Sequence, residues 1–326
     1  MSSVLNVKNL SVSFDTFAGK VEAIRDISFE IEPGECIAVV GESGCGKSAT
    51  AKAILGLHPK RNTVIGENSS ILFEGEDILK YSDKEWQSFR GNKVSMIFQD
   101  ALSALNPTAK IGTQIAEALM IHQNKSKKEA MEEAVKMLEA VGVTNPEQSV
   151  KMYPFEFSGG MRQRAMIAMA MACNPKLLIA DEPTTALDVT MQTQILQLIK
   201  KQQQERNTAV LFITHDLGIV AGIAQKVIVM YNGKIVEKGT VDEIIYHSKH
   251  PYTKALMQSS LRVDLDREKQ ELYSIEGMPP SLIHPPVGCP FATRCPDAMN
   301  VCVQYPPQLH SESETQCTYC WKYWKK

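Results

Sequence analysis

Gly41, Glu42, Ser43, Gly44, Cys45, Gly46, Lys47 and Ser48 form the pattern G-x-x-x-x-G-K-S directly after the apolar run 36–40. In such a loop the glycines let backbone N–H groups turn inward around a polyphosphate, the lysine reaches its β and γ oxygens, and the hydroxyl of Ser48 is placed to ligand Mg²⁺. A second short apolar run, 176–180, is followed at once by Asp181 and Glu182. Two acids at the carboxyl end of a buried strand make a metal and water site. Asp181 can hold Mg²⁺ through its shell, and Glu182 is suited to orient and polarise the water that attacks a γ-phosphate. An Asp-Glu pair alone is more often a solvated loop or a helix start. Behind a buried strand, in a chain with a phosphate loop, the chemical reading is the stronger one.

These groups need a scaffold of strands. Runs 36–40, 94–98, 176–180 and 209–214 read as buried strands, each apolar and short. Runs 4–7, 11–14 and 27–31 read as antiparallel strands at an edge. Runs 226–230 and 234–237, joined across Asn232 and Gly233, read as a hairpin. The stretch 102–171 is helix-rich, and 128–141 places Met131, Val135, Leu138 and Val141 on one face. The whole chain has 326 residues, 44% apolar and 22% charged, with a net charge of −2. That is enough to bury a full core, and no nucleic-acid footprint is visible in the charge. Residues 1–20 lack the long apolar stretch of a signal peptide, and no run approaches the roughly 18 apolar residues of a membrane-spanning helix. The expected place is cytosolic, with any membrane role exerted through separate subunits.

Between the two motifs lies Phe157, Ser158, Gly159, Gly160, Met161, Arg162, Gln163, and here the chain resembles the ATP-binding cassette (ABC) family. That family carries a Leu-Ser-Gly-Gly-Gln signature upstream of its acidic strand; Phe157 and Met161 replace its first and last residues. The resemblance implies an α/β fold of the P-loop NTPase type, with a RecA-like core, an antiparallel β edge, a helical subdomain at about 102–171 and a Cys-rich C-terminal extension. It implies that Ser158, Gly159, Gly160 and Met161 face the γ-phosphate held by an opposite subunit, and so a dimer. Gln99 then resembles the loop glutamine that contacts Mg²⁺ and the attacking water, and His215 the switch histidine on the γ-phosphate. Thr185, Ala186, Leu187 and Asp188 resemble the segment that crosses the dimer. Phe14 matches the aromatic that stacks on adenine, with Phe17 close by and a core role for either nearly as well supported. On the same ground Ala49 joins residues 41–48 in the ATP site.

After residue 245 the cassette is complete, and 246–326 shifts toward Pro, Cys and aromatics. His250-Pro-Tyr-Thr, Gly277-Met-Pro-Pro-Ser-Leu, Gly288-Cys-Pro-Phe and Arg294-Cys-Pro, with Asn106-Pro107 and 161–164, resemble the ATPases of oligopeptide and dipeptide importers. The implied function is an ATPase that powers peptide uptake, with a nickel importer of the same subfamily as the alternative. From another class come soluble ABC ATPases acting on ribosomes or DNA; these commonly carry two cassettes or a long coiled coil, and this chain has neither. A nucleotide-binding subunit without activity is disfavoured by the retained Glu182. The resemblance implies a second, related but non-identical ATPase, two permeases and, indirectly, an external peptide-binding protein, with this chain at the cytoplasmic face of the membrane.

Of eight cysteines, Cys289, Cys295, Cys302, Cys317 and Cys320 fall in the last 38 residues. Four thiolates suit zinc or an iron–sulfur cluster on ligand chemistry, and free thiols are the plain alternative. The subfamily resemblance favours a [4Fe-4S] cluster on Cys289, Cys295, Cys302 and Cys317, with Cys320 as the spare, tying down a tail too small to fold on apolar burial alone.

Overall fold

The computed structural model describes residues 3–185, 187–259 and 274–324. The chain forms two compact units, one from 1–5, 31–35 and 80–213, the other from 6–30, 36–79 and 214–326. In chain order the strands are β1 (Leu5–Thr16), β2 (Gly19–Ile31), β3 (Cys36–Val40), β4 (Thr63–Ile65), β5 (Ser70–Phe73), β6 (Glu76–Asp77), β7 (Val94–Ile97), β8 (Leu177–Asp181), β9 (Ala209–Thr214), β10 (Lys226–Tyr231), β11 (Lys234–Thr240), β12 (Leu309–Ser311) and β13 (Cys317–Tyr319).

In the first unit β7, β8 and β9 run parallel, with Val94 opposite Leu177 and Leu177 opposite Ala209. Every residue of the three is buried, which is why they read as near-continuous apolar runs rather than alternating ones. The expected helical stretch contains helices Ile111–Gln123, Lys127–Ala140 and Gly159–Met171, packed on one another. Ser126 and Glu129 close a capping box that starts the middle helix. Its buried face is Ala130, Ala134, Met137 and Leu138, followed by Val141. Met131 and Val135, expected on that face, are only half-buried. Leu138 and Val141 are buried as expected, but toward the start of the helix the buried places belong to the small Ala130 and Ala134.

In the second unit β10 lies parallel to β3 and antiparallel to β11. The expected hairpin turn holds Asn232 at φ 47° and Gly233 at φ 78°, the paired positive angles of a two-residue turn matched to strand twist. Runs 4–7 and 11–14 are not separate strands but parts of β1. Asn9 sits mid-strand at φ 48°, and its amide donates to Asp26, itself at φ 56°, over 3.0 Å. Polar residues that looked like a break are a local kink held by each other's side chains. The tail belongs to this unit: β13 adds antiparallel to β11, and β12 to β13. Cys289, Phe291 and Cys302 share one apolar core with Val40, Val229, Tyr231, Val236 and Tyr252.

Candidate functional site

The second unit holds residues 41–48, Phe14 and His215. Gly41 (φ 153°) lies so near the backbone of Met230 that a Cβ would meet its carbonyl at 2.2 Å, and at Gly46 (φ 106°) one would meet the carbonyl of Ala23 at 2.5 Å. Glycine is therefore required at both ends of the loop. Lys47 is buried, its Nζ donating to the carbonyls of Gly41 at 2.7 Å and Glu42 at 3.0 Å. A cation is thus held inside the loop by the loop's own backbone. The helix Lys47–Ile54 begins without a side-chain cap on its first turn, so its amides and dipole suit an anion. Burial pushes the Cys45 thiol up, against the pull of Lys47. Phe14 packs edge-on against His58 at 5.0 Å, and His58 Nε2 lies 2.8 Å from the carbonyl of Ala49, which links the aromatic to the first turn of that helix. Phe17 is fully exposed at the β1–β2 turn. His215 follows β9 and is exposed, while Asp216 caps the next helix by accepting from Gly218 N–H at 2.8 Å.

The first unit holds Gln99, Ser158, Gly159, Gly160, Met161, Asp181, Glu182 and Asp188. Asp181 is the buried last residue of β8. Glu182 follows at φ 46°, its N–H donating to Ile213 at 2.9 Å. Gln99 Nε2 donates to Glu182 Oε2 at 2.9 Å, and the Thr185 hydroxyl donates to the same oxygen at 3.0 Å. Gln99 and Glu182 are thus brought together directly. Thr185, named in the sequence only as part of the crossing segment, is a partner of the acid; its position three residues after Glu182 was the available signal. Ser158 caps the helix Gly159–Met171 through Met161 N–H at 3.3 Å, and a Cβ at Gly159 would meet nothing within 4 Å. Open space there leaves a helix N-terminus accessible. Asp188 caps Val189–Arg206 through Met191 N–H at 2.9 Å. Ala186 of that segment lies outside the described residues.

The tail thiols depart from expectation. Cys289, Cys295, Cys302 and Cys320 line one small apolar cavity with His250 and Trp321. Burial pushes the Cys289 thiol up to about 12 and raises Cys295 and Cys320 as well. Cys317, expected as the fourth ligand, is not among them. The β11–β13 ladder pins it opposite Lys238, and its sulfur faces the Ser311 hydroxyl at 3.7 Å. Cys320, just past the strand end, is released from that ladder and reaches the cavity. Among the described residues no three His, Cys, Asp or Glu side chains stand ready to hold a metal ion, so the expected [4Fe-4S] ligand set is not preformed.

Residues 24–185 match the family described as ABC transporter, and 236–302 match the C-terminal region of oligopeptide/dipeptide transporters. The dipeptide transport ATP-binding protein DppD of Bacillus subtilis (strain 168) is 50% identical over 321 residues, 98% of this chain and 95% of that protein. The chain belongs to the ABC transporter family. The oligopeptide transport ATP-binding protein OppD of Escherichia coli (strain K12) is 49% identical, over 94% of this chain and 89% of its own. Among solved structures, a dimeric post-hydrolysis state of the ATP-binding cassette MJ0796 bound to ADP and Pi aligns with TM-score 0.65 and 25% identity, covering 73% of this chain and 98% of that one. This ABC ATPase has the P-loop α/β fold of the family, and its loop is of the kind that takes ATP with Mg²⁺. Among its described residues no helix is long and apolar enough to cross a membrane.

Proposed function

We propose that this ABC ATPase powers import of dipeptides or oligopeptides across a membrane. The observation that carries the reading is the tail, whose family match names oligopeptide/dipeptide transporters and which shares its core with the phosphate-loop unit. The cassette then comprises 1–245, with the helical subdomain at about 102–171, and the extension 246–326. Lys47 and the amides of 43–48 hold the β- and γ-phosphates, Phe14 stacks on the base, and Ala49 lies in the same site. Ser48, Gln99 and Asp181 are the side chains suited to hold Mg²⁺, which would neutralise phosphate charge. Glu182, oriented by Gln99 and Thr185, takes the proton of the attacking water. His215 contacts the γ-phosphate. Ser158, Gly159, Gly160 and Met161 present a helix N-terminus to nucleotide on a facing ATPase, with Asp188 at that interface, so each site needs two subunits.

The facing subunit is a second ABC ATPase, a related but different chain. Closure of the pair is passed to two permeases at the cytoplasmic face of the membrane, which take substrate from an external binding protein. In the tail, Cys289, Cys295, Cys302 and Cys320 have the donor chemistry for a [4Fe-4S] cluster, or for zinc as the alternative, once drawn together; the group would cross-link a tail with little apolar area of its own. The test is reconstitution of this chain with its second ATPase, two permeases and binding protein in proteoliposomes. ATP-dependent accumulation of a labelled dipeptide is expected. Accumulation of nickel and no peptide would overturn the substrate, and full ATP turnover by a strictly monomeric sample would overturn the composite site.

A further inference from the structure

The phosphate loop contains an acid. Glu42 is the second residue of 41–48, in a segment whose task is to hold a polyanion, and its side chain is 24% exposed. A carboxylate there repels phosphate unless something cancels it. The partner comes from far along the chain. Arg294, with a side chain 5% exposed, donates from Nη1 to Glu42 Oε2 at 2.8 Å. The same Nη1 donates to the Tyr231 hydroxyl at 3.0 Å, Nε donates to the carbonyl of Glu276 at 2.9 Å, and Nη2 donates to the carbonyl of Ile275 at 2.9 Å. Burial works against this charge, but the bonds to Glu42 and Tyr231 outweigh it and raise the guanidinium above its already high ordinary pKa. From the same side, Tyr252 accepts the Glu42 backbone N–H at its hydroxyl, 2.9 Å away. Both the side chain and the amide of Glu42 are therefore occupied by residues beyond β9, and the amide bond turns that N–H away from any phosphate.

We infer that Arg294 is a positioning residue for nucleotide binding: it neutralises Glu42 and holds the loop's second residue in place, so that the C-terminal extension completes the phosphate loop electrostatically. This rests on residues 41–48 being the nucleotide site. Loss of Arg294 leaves an unscreened carboxylate beside the phosphates. Loss of Glu42 leaves an unbalanced guanidinium there. The two substitutions should therefore act in opposite directions and cancel when combined, which a purely structural role for the pair would not produce.

The experiment measures MgATP affinity of the purified full chain by titration calorimetry, with circular dichroism to confirm folding. Arg294→Ala is expected to weaken binding about tenfold. Glu42→Gln should bind MgATP more tightly than the wild type, and the Glu42→Gln/Arg294→Ala double variant should return to within about twofold of wild type. If Arg294→Ala does not fold, the tighter binding of Glu42→Gln carries the test by itself. Unchanged affinity in the foldable single variants, or a double variant as weak as Arg294→Ala, would overturn the inference. Lys47→Ala separates the two readings: if it binds MgATP like the wild type, the site assignment fails; if it loses binding while Arg294→Ala does not, only the role of Arg294 fails.

Discussion

The phosphate loop and the thiol cluster lie in the same compact unit, yet they are built in opposite ways. The loop is eight consecutive residues, and its lysine finds its partners on Gly41 and Glu42, six and five positions back. The cluster draws Cys289, Cys295, Cys302 and Cys320 around a cavity shared with His250, and its order depends on a strand pairing and on an apolar core containing Tyr231 and Tyr252. Apart from Glu42, which Arg294 and Tyr252 hold from the tail, the contiguous motif owes its geometry to its own backbone, so substitution of Lys47 should remove chemistry and leave the fold. A dispersed cluster owes its geometry to everything around it, so substitutions there should remove structure first.

The largest effect expected is on chemistry. Glu182→Gln, which keeps the shape of the acid but not its basicity, should cut turnover by about 10² to 10⁴ while MgATP still binds; phosphate release by the assembled transporter measures it. Wild-type turnover would mean that another group is the base. Next, Lys47→Ala should cost about 10² to 10³ in rate through loss of a preorganised phosphate donor. Its thermal midpoint without nucleotide should stay close to that of the wild type, and a large fall would show that the buried amine is a structural strut rather than a ligand.

Phe291→Ala probes the other kind of region. Phe291 is 1% exposed and packs on Tyr231 at 5.3 Å and Tyr252 at 5.3 Å. Its truncation should destabilise the protein by about 3 to 5 kcal/mol, read by urea unfolding, and weaken nucleotide binding along with it. If the tail melted separately and MgATP bound unchanged, the contrast would fail, because the tail would be a detachable module. The smallest effect sharpens the thiol assignment. Iron or zinc content measured after anaerobic purification should fall in Cys320→Ser and not in Cys317→Ser; the reverse result would return Cys317 to the ligand set.

Legibility followed the same division. The buried parallel strands were readable because both faces are covered and nearly every residue is apolar, with Ser95, Asp181 and Thr214 as the exceptions. The hairpin was readable from Asn232-Gly233, where the turn demands two positive angles. The break expected in β1 failed because Asn9 and Asp26 satisfy each other across strands, a pairing that no local pattern carries. The helix face over 127–140 was legible in part: Leu138 and Val141 are buried as expected, while Ala130 and Ala134 lie deeper than Met131 and Val135.

What the sequence determined by itself is the chemistry whose partners are neighbours in the chain: a phosphate loop, an acid pair closing a strand, and a glycine-opened helix start, with the family to which they belong. Only the tertiary structure decided that Gln99 and Thr185 share one oxygen of Glu182, that Cys320 and not Cys317 joins the other thiols, and that Arg294 answers Glu42 from 252 residues away. The physical reason is range. Backbone geometry and apolar periodicity act over a few residues and are written in order along the chain, whereas charge neutralisation and burial act over a few ångströms, between residues that only folding brings together.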